Sequence, residues 1–142
     1  MRAASVPLLC LNLCGAQPVM AQEYAQQETV QHASSGNVAN AAATATLAAV
    51  AGRTAKLLGL MVTGSGATAA ATVTCTITGL NGGVLAFTYG VPAGAGVPAT
   101  PFTLPILAPI PASGQNVAIV ASCPAMGAGS TRLTISIIGY YR

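Results

Sequence analysis

Apolar and polar residues alternate with a period of two along several segments of this chain. The two clearest segments are residues 72–78 and residues 132–138. Such alternation places successive side chains on opposite faces of a β-strand, and both segments are rich in the β-branched residues that strands favour. We therefore predict two strands, each with one buried face. The residues predicted to point inward are Val73, Cys75 and Ile77 in the first and Leu133, Ile135 and Ile137 in the second.

Weaker strand signals fill most of the chain after about residue 43. They are separated by turns rich in Gly, Ser and Asn, and no amphipathic helical pattern lies between them. Short strands joined by such turns are typical of all-β folds. The pattern predicts a single antiparallel β-sandwich or jelly roll. The weaker predicted strands cover residues 44–50, 55–63, 83–89, 101–104 and 115–122.

Asn81 and Gly82 mark the turn between two of these strands. Asn-Gly between apolar runs is typical of a two-residue hairpin of type I′, which needs positive φ at both central residues. The strand at residues 72–78 is therefore predicted to pair antiparallel with the strand that follows it.

Six prolines fall between residues 92 and 111. Because proline cannot donate to a strand ladder, it belongs in a loop or on a sheet edge, where it also blocks further strand pairing. We predict a long loop over residues 90–100 and an edge strand around residues 102–107. A proline-rich recognition segment is the alternative. The prolines are Pro92, Pro98, Pro101, Pro105, Pro109 and Pro111.

The first 22 residues fit two hypotheses. Arg2, the apolar run at residues 6–13 and the small-x-small sequence at residues 19–21 resemble a secretory signal that ends before Gln22. The alternative is an apolar arm that docks on a partner. Under that hypothesis the partner-binding residues are Leu8, Leu9, Leu11, Leu13 and Tyr24.

Residues 22–42 are rich in Gln and Asn and too poor in apolar residues to hold a helix by themselves. We interpret them as an extended or partly helical linker. The predicted organisation is therefore an arm and linker over residues 1–42 and a β-sandwich or jelly-roll domain over residues 43–142.

Charge is scarce in this sequence. Only 5% of the residues are charged, against about 25% in an average soluble domain. No Asp or Glu occurs after Glu28, and His32 is the single histidine. General acid–base chemistry needs such groups, so an enzyme is not expected. The few basic residues form no patch of the kind that binds nucleic acid, and Arg53 and Lys56 interrupt the longest apolar run, so no membrane span is expected.

The remaining polar residues give weak signals for a site. Glu23 and Glu28 are five residues apart and would not share a helix face, and His32 has no neighbouring ligand residue. Cys10 and Cys14 are interpreted as free, buried thiols. We expect no catalytic, metal or cofactor site and no small-molecule substrate.

Two further pairs of residues are candidates for contacts. Cys75 lies on the apolar face of its predicted strand and Cys123 closes another, so the two could form a disulfide if the protein is exported. Tyr140 and Tyr141 follow the last strand, where they either contact a neighbouring subunit or simply end the strand.

The order of these segments resembles the jelly-roll or β-sandwich decoration proteins, also called cement proteins, of tailed bacteriophage heads. The resemblance covers about residues 40–142. It rests on an apolar strand, a turn at residues 51–53 and a second strand, then a Thr/Val strand, Gly-rich loops and a proline-bearing edge. It ends with a strand opening at residues 113–117 and a last strand that finishes Gly139-Tyr140-Tyr141.

The resemblance implies a non-enzymatic virion protein, made in the host cytoplasm, that binds the outside of the capsid. Its partners would be the major capsid protein and copies of itself, as a homotrimer, and residues 1–40 would be the contacting arm. Two alternatives stay open. One is an exported surface or pilus-like adhesion subunit with a cleaved signal, and the other is a tail, neck or fibre-attachment component of a virion.

Overall fold

The computed structural model describes residues 29–142, and in this range the chain forms eight β-strands and no helix. The amino-terminal predictions that concern residues 1–28 lie outside this range. The strands are β1 (Gln31–Ser34), β2 (Ala43–Leu47), β3 (Ala55–Gly64), β4 (Ala71–Leu80), β5 (Gly83–Val91), β6 (Phe102–Pro111), β7 (Ile119–Cys123) and β8 (Leu133–Tyr141).

The strands form two antiparallel four-stranded sheets that pack face to face. The first sheet has the order β1-β8-β3-β6 and the second has the order β2-β7-β4-β5. The first strand pairs with the eighth, the second with the seventh, the third with the sixth and the fourth with the fifth. Such nested pairing, split between two sheets, is the jelly roll. The predicted all-β sandwich or jelly roll is therefore confirmed.

The core lies between the two sheets and is built by the predicted alternation. Cys75, Ile77, Leu133, Ile135 and Ile137 are buried, and Val73 is half-buried against them. Their polar neighbours along the same strands face outward and are exposed or half-buried. Period two therefore determined both which residues form strands and which face each strand buries.

The hairpin between β4 and β5 is confirmed, but its turn type is not. Leu80 pairs with Gly83 across a two-residue loop. Positive φ occurs at Gly82 (100°) and Gly83 (105°) and not at Asn81, so the expected type I′ turn is absent. A second glycine directly after Asn-Gly takes the left-handed conformation more readily than the asparagine does.

The proline-bearing segment forms the edge strand β6, as predicted, and it extends further than expected. β6 lies outermost in the first sheet and contains Pro105, Pro109 and Pro111. These prolines are tolerated because an outermost strand needs hydrogen bonds on only one side.

Among the boundaries that differ from the sequence predictions, two change the assignment of a segment. Residues 31–34, which were assigned to the linker, form the edge strand β1, whose residues pair with residues 136–139 of β8. The strand predicted at residues 115–122 begins only at Ile119. Asn116 has a φ of 61°, which no strand accommodates, and its Oδ1 accepts a hydrogen bond of 2.7 Å from the Gly52 N–H.

Candidate partner-binding surface

An apolar depression lies on the outer face of the first sheet. Its volume is about 360 Å³, and we call it the Gly59 depression. Met61 and Ile138, which are 45% and 44% exposed, contribute to its wall, so large apolar side chains there are open to solvent. The lining residues are His32, Leu58, Gly59, Leu60, Met61, Thr103, Leu104, Pro105, Ser136 and Ile138.

A β-bulge in β3 produces this depression. Leu57 pairs with Gly139 and Gly59 pairs with Ile138, so Leu58 is an extra residue in β3. The bulge places Gly59, rather than a larger residue, opposite Ile138. A Cβ atom at Gly59 would lie 3.1 Å from the carbonyl oxygen of Leu104, which is a tight contact. The glycine therefore both allows β6 to approach β3 and leaves the floor of the depression empty.

A second, larger irregularity lies beside the depression on β6. Pro105 pairs with Gly59 and Ile110 pairs with Leu57, so residues 106–109 stand opposite the single residue Leu58. We call residues 106–109 the β6 bulge. Ile106 packs against the core, whereas the next residue, Leu107, is 101% exposed. Residues 29–142 give Leu107 no cover, and because it lies next to the apolar Gly59 depression the two together form a contiguous exposed apolar patch.

Of the two terminal tyrosines, Tyr141 is used inside the subunit. Its ring packs against the core, and its hydroxyl donates a hydrogen bond of 2.8 Å to the carbonyl oxygen of Ala48. Burial raises the pKa of the Tyr141 hydroxyl above its ordinary value. Tyr140 lies on the opposite side of β8, beside Lys56 of β3, and is half-buried. Tyr140 is therefore the tyrosine whose side chain lies on the strand face that points away from the core.

The five predicted arm residues, Leu8, Leu9, Leu11, Leu13 and Tyr24, lie outside the described residues, as do Cys10, Cys14, Glu23 and Glu28. Of the isolated candidates, His32 is exposed on β1 and lines the depression.

Cys75 and Cys123 form a disulfide in this structure. They lie on the neighbouring strands β4 and β7, with an S–S distance of 1.97 Å and a Cα–Cα distance of 4.2 Å. Both are fully buried between the sheets. The bond joins the two central strands of the second sheet and closes a loop across 48 positions of sequence.

Ser65 is a buried polar residue whose role the sequence did not reveal. Its Oγ accepts hydrogen bonds from the backbone N–H groups of Thr131 (3.2 Å) and Arg132 (3.1 Å). Gly64-Ser65-Gly66 has the composition of a turn, but here Ser65 continues past the end of β3 and tethers the segment before β8. Because the hydroxyl oxygen already accepts two N–H groups, Ser65 has a structural role and is poorly placed to act as a nucleophile.

The described residues offer few groups for other chemistry. In residues 29–142, no three His, Cys, Asp or Glu side chains are grouped so that they could hold a metal ion. The same range includes no helix that is long and apolar enough to cross a membrane.

Comparison with protein-family models, with curated proteins and with solved structures finds no match to this chain. The functional argument therefore rests on the surface that the jelly roll presents, in which the Gly59 depression and the exposed Leu107 are the most distinctive features.

Proposed function

We propose that this protein is a non-enzymatic virion structural protein of the capsid decoration type, which stabilises the head by binding across major capsid subunits. The observation that carries the proposal is a jelly roll whose outer face presents the uncharged, apolar Gly59 depression beside the exposed Leu107. Jelly rolls occur in viral capsid domains, and also in lectins and cupins. Because a fold alone does not determine function, the surface is the stronger support.

The composition supports the same proposal. A surface with so few charges has little protection against association, so extensive cover by partners would explain it. The proposed partners are the major capsid protein and copies of this chain, with no nucleic acid, membrane or small-molecule substrate. Modest contacts repeated over many copies would give strong overall attachment without any single strong site.

The arm hypothesis gives the direct test of this function. The full chain and a chain lacking residues 1–21 are mixed with capsids from the native source that have been stripped of this protein, and co-sedimentation is measured. We expect the truncated chain to lose capsid binding while its circular dichroism spectrum and its Cys75–Cys123 bond stay unchanged. Equal binding by the two chains would refute the role of the arm, and failure of the full chain to bind would refute the decoration function.

A second candidate function is favoured by one observation, the buried Cys75–Cys123 disulfide. Disulfides persist in oxidising surroundings, which include the periplasm, the extracellular space and virion surfaces. The bond therefore also fits an exported surface or pilus-like adhesion subunit whose signal is cleaved before Gln22.

Intact mass of the protein from its native source separates the two candidates. A chain that begins at Gln22 and lacks two hydrogens, located at Cys75 and Cys123, would support export. A chain that begins at Met1 would support the virion arm, with or without the Cys75–Cys123 bond, because virion surfaces also carry disulfides. Alkylation before and after reduction locates the free thiols in either chain.

A further inference from the structure

The exposed Leu107 and the Gly59 depression lie side by side on the surface of the molecule. Pro105 lines the depression, and Leu107 lies two residues further along the same strand, in the β6 bulge opposite Leu58, which also lines the depression. We propose that this face binds the same face of a second copy of the chain, so that Leu107 of each subunit enters the Gly59 depression of the other. The inference rests on the proposed structural role: among the proposed partners it assigns this face to copies of the chain, and it leaves contact with the capsid to the arm.

Symmetry favours a second copy over an unrelated partner. A projection and a depression that lie side by side on one face are self-complementary under a single two-fold rotation, and this rotation forms both contacts at once. A projection and a depression on different faces would instead link copies into a ring or an open chain. The expected assembly is therefore a closed dimer.

The chemistry of the depression suits an uncharged aliphatic side chain. Leu58, Met61 and Ile138 are part of its lining, and no Lys, Arg, Asp or Glu lines it. Two identical surfaces repel each other when they bring like charges together. Lys56 lies on the same sheet face, beside Tyr140 and Pro111 and outside the lining of the depression, so the insertion of Leu107 itself brings no like charges together. Transfer of Leu107 from full exposure into an apolar site removes a large apolar area from water.

The prolines of β6 favour this docking mode over pairing between edge strands. Pro105, Pro109 and Pro111 provide no N–H groups, so the outer edge of β6 is a poor template for another strand. Pro105 directly precedes the β6 bulge and Pro109 is its last residue, so both restrict its backbone. A restrained bulge presents Leu107 with less ordering cost on binding.

Sedimentation velocity of the full chain across the micromolar range provides the first test. We expect a concentration-dependent species at twice the chain mass of 13.9 kDa. Leu107→Asp and Ile138→Asp should each raise the dimer Kd by on the order of 100-fold, because the two-fold axis doubles every substitution. Val84→Asp is the matched control, since Val84 is 63% exposed on the outer face of the second sheet. It should leave the Kd unchanged.

Disulfide trapping tests the geometry of the contact. In a chain with Cys10 and Cys14 replaced by Ser, the Leu107→Cys and Ile138→Cys variants are oxidised separately and as a mixture. We expect the mixture to yield more cross-linked dimer than either variant alone. Leu107→Ala perturbs the fold least, and it should also raise the dimer Kd, as Leu107→Asp does. Circular dichroism confirms that each variant is folded.

Four results would overturn the inference: a chain that stays monomeric, a trimer, a dimer insensitive to Leu107→Asp, or a mixture that cross-links no better than the single variants. A monomer that still binds capsids would remove the dimer and leave the decoration function standing. A dimer that binds no capsid would support the two-fold contact and refute the decoration function.

Discussion

At the scale of single residues, Tyr89 is the clearest local defect in the core. It is 3% exposed, and its hydroxyl has no hydrogen-bond partner among residues 29–142. An unpartnered buried hydroxyl is destabilising, so Tyr89→Phe should raise the free energy of unfolding by about 1 kcal/mol. Tyr141→Phe is the matched control, because it removes a formed hydrogen bond and should lower the same quantity by about 1 kcal/mol. Urea unfolding measures whether the free energy of unfolding rises in Tyr89→Phe and falls in Tyr141→Phe. A loss of stability in Tyr89→Phe would contradict the prediction.

Tyr89 also predicts how stability depends on high pH. Burial raises the pKa of the Tyr89 hydroxyl above its ordinary value of 10.0. The folded state therefore holds this proton more tightly than the unfolded state does. Stability is complete below the unfolded pKa and falls as the pH rises through the folded pKa. Unfolding free energies measured on the alkaline side should fall less steeply in Tyr89→Phe than in the unchanged chain. Equal pH dependence of the unfolding free energy in the two proteins would show that the Tyr89 pKa is not raised in the folded state.

At the scale of elements, the disulfide between β4 and β7 should contribute a large share of the stability. For a loop of 48 positions, the chain-entropy model gives about 4 kcal/mol. We expect the Cys75→Ala/Cys123→Ala double variant to lose stability of this order in urea unfolding. Reductant should destabilise the unchanged chain and leave the double variant unaffected. An unchanged chain that is insensitive to reductant would contradict the prediction.

Most strands were predictable from sequence because their alternation is local information. β4 and β8 were located by residues such as Ile77 and Ile135, whose spacing alone assigns them to a buried face. β1 escaped notice because only Ala33 of its four residues packs on the core, so its sequence shows no apolar alternation. The full length of β6 was not predictable either. Its prolines suggest that strand pairing ends near them, whereas in the structure pairing resumes after the β6 bulge.

The candidate site was not predictable, although its residues are ordinary. The Gly59 depression exists because β3 has one extra residue relative to β8, and a register shift is a property of two strands together. The exposure of Leu107 could not be predicted either, because it depends on the absence of a paired residue on β3, which the sequence of β6 does not reveal. The sequence pointed instead to Tyr141, whose position within its own subunit depends on Ala48, 93 residues away.

At the scale of the whole molecule, the nested pairing of the jelly roll brings the two ends of the described chain together. Gln31 pairs with Gly139, so continuing the register places Thr29 beside Tyr141. No local pattern contains this pairing, because β1 shows no apolar alternation and the alternation of β8 is compatible with several strand orders. The ends therefore test the topology more directly than any core substitution does.

A circular permutant makes that test. A short Gly-Ser linker joins Arg142 to Thr29, and the chain is opened between Asn81 and Gly82, in the exposed turn of the β4–β5 hairpin. Since the linker replaces only a short gap and the opening breaks no ladder, we expect a folded protein that retains the Cys75–Cys123 bond. A second permutant, opened between Thr76 and Ile77 in the central strand β4, should not fold, because it interrupts the strand at a fully buried residue. Circular dichroism, thermal unfolding and intact mass under non-reducing conditions distinguish the two. An unfolded first permutant would contradict the pairing of β1 with β8, and with it the closure of the first sheet on which the Gly59 depression lies.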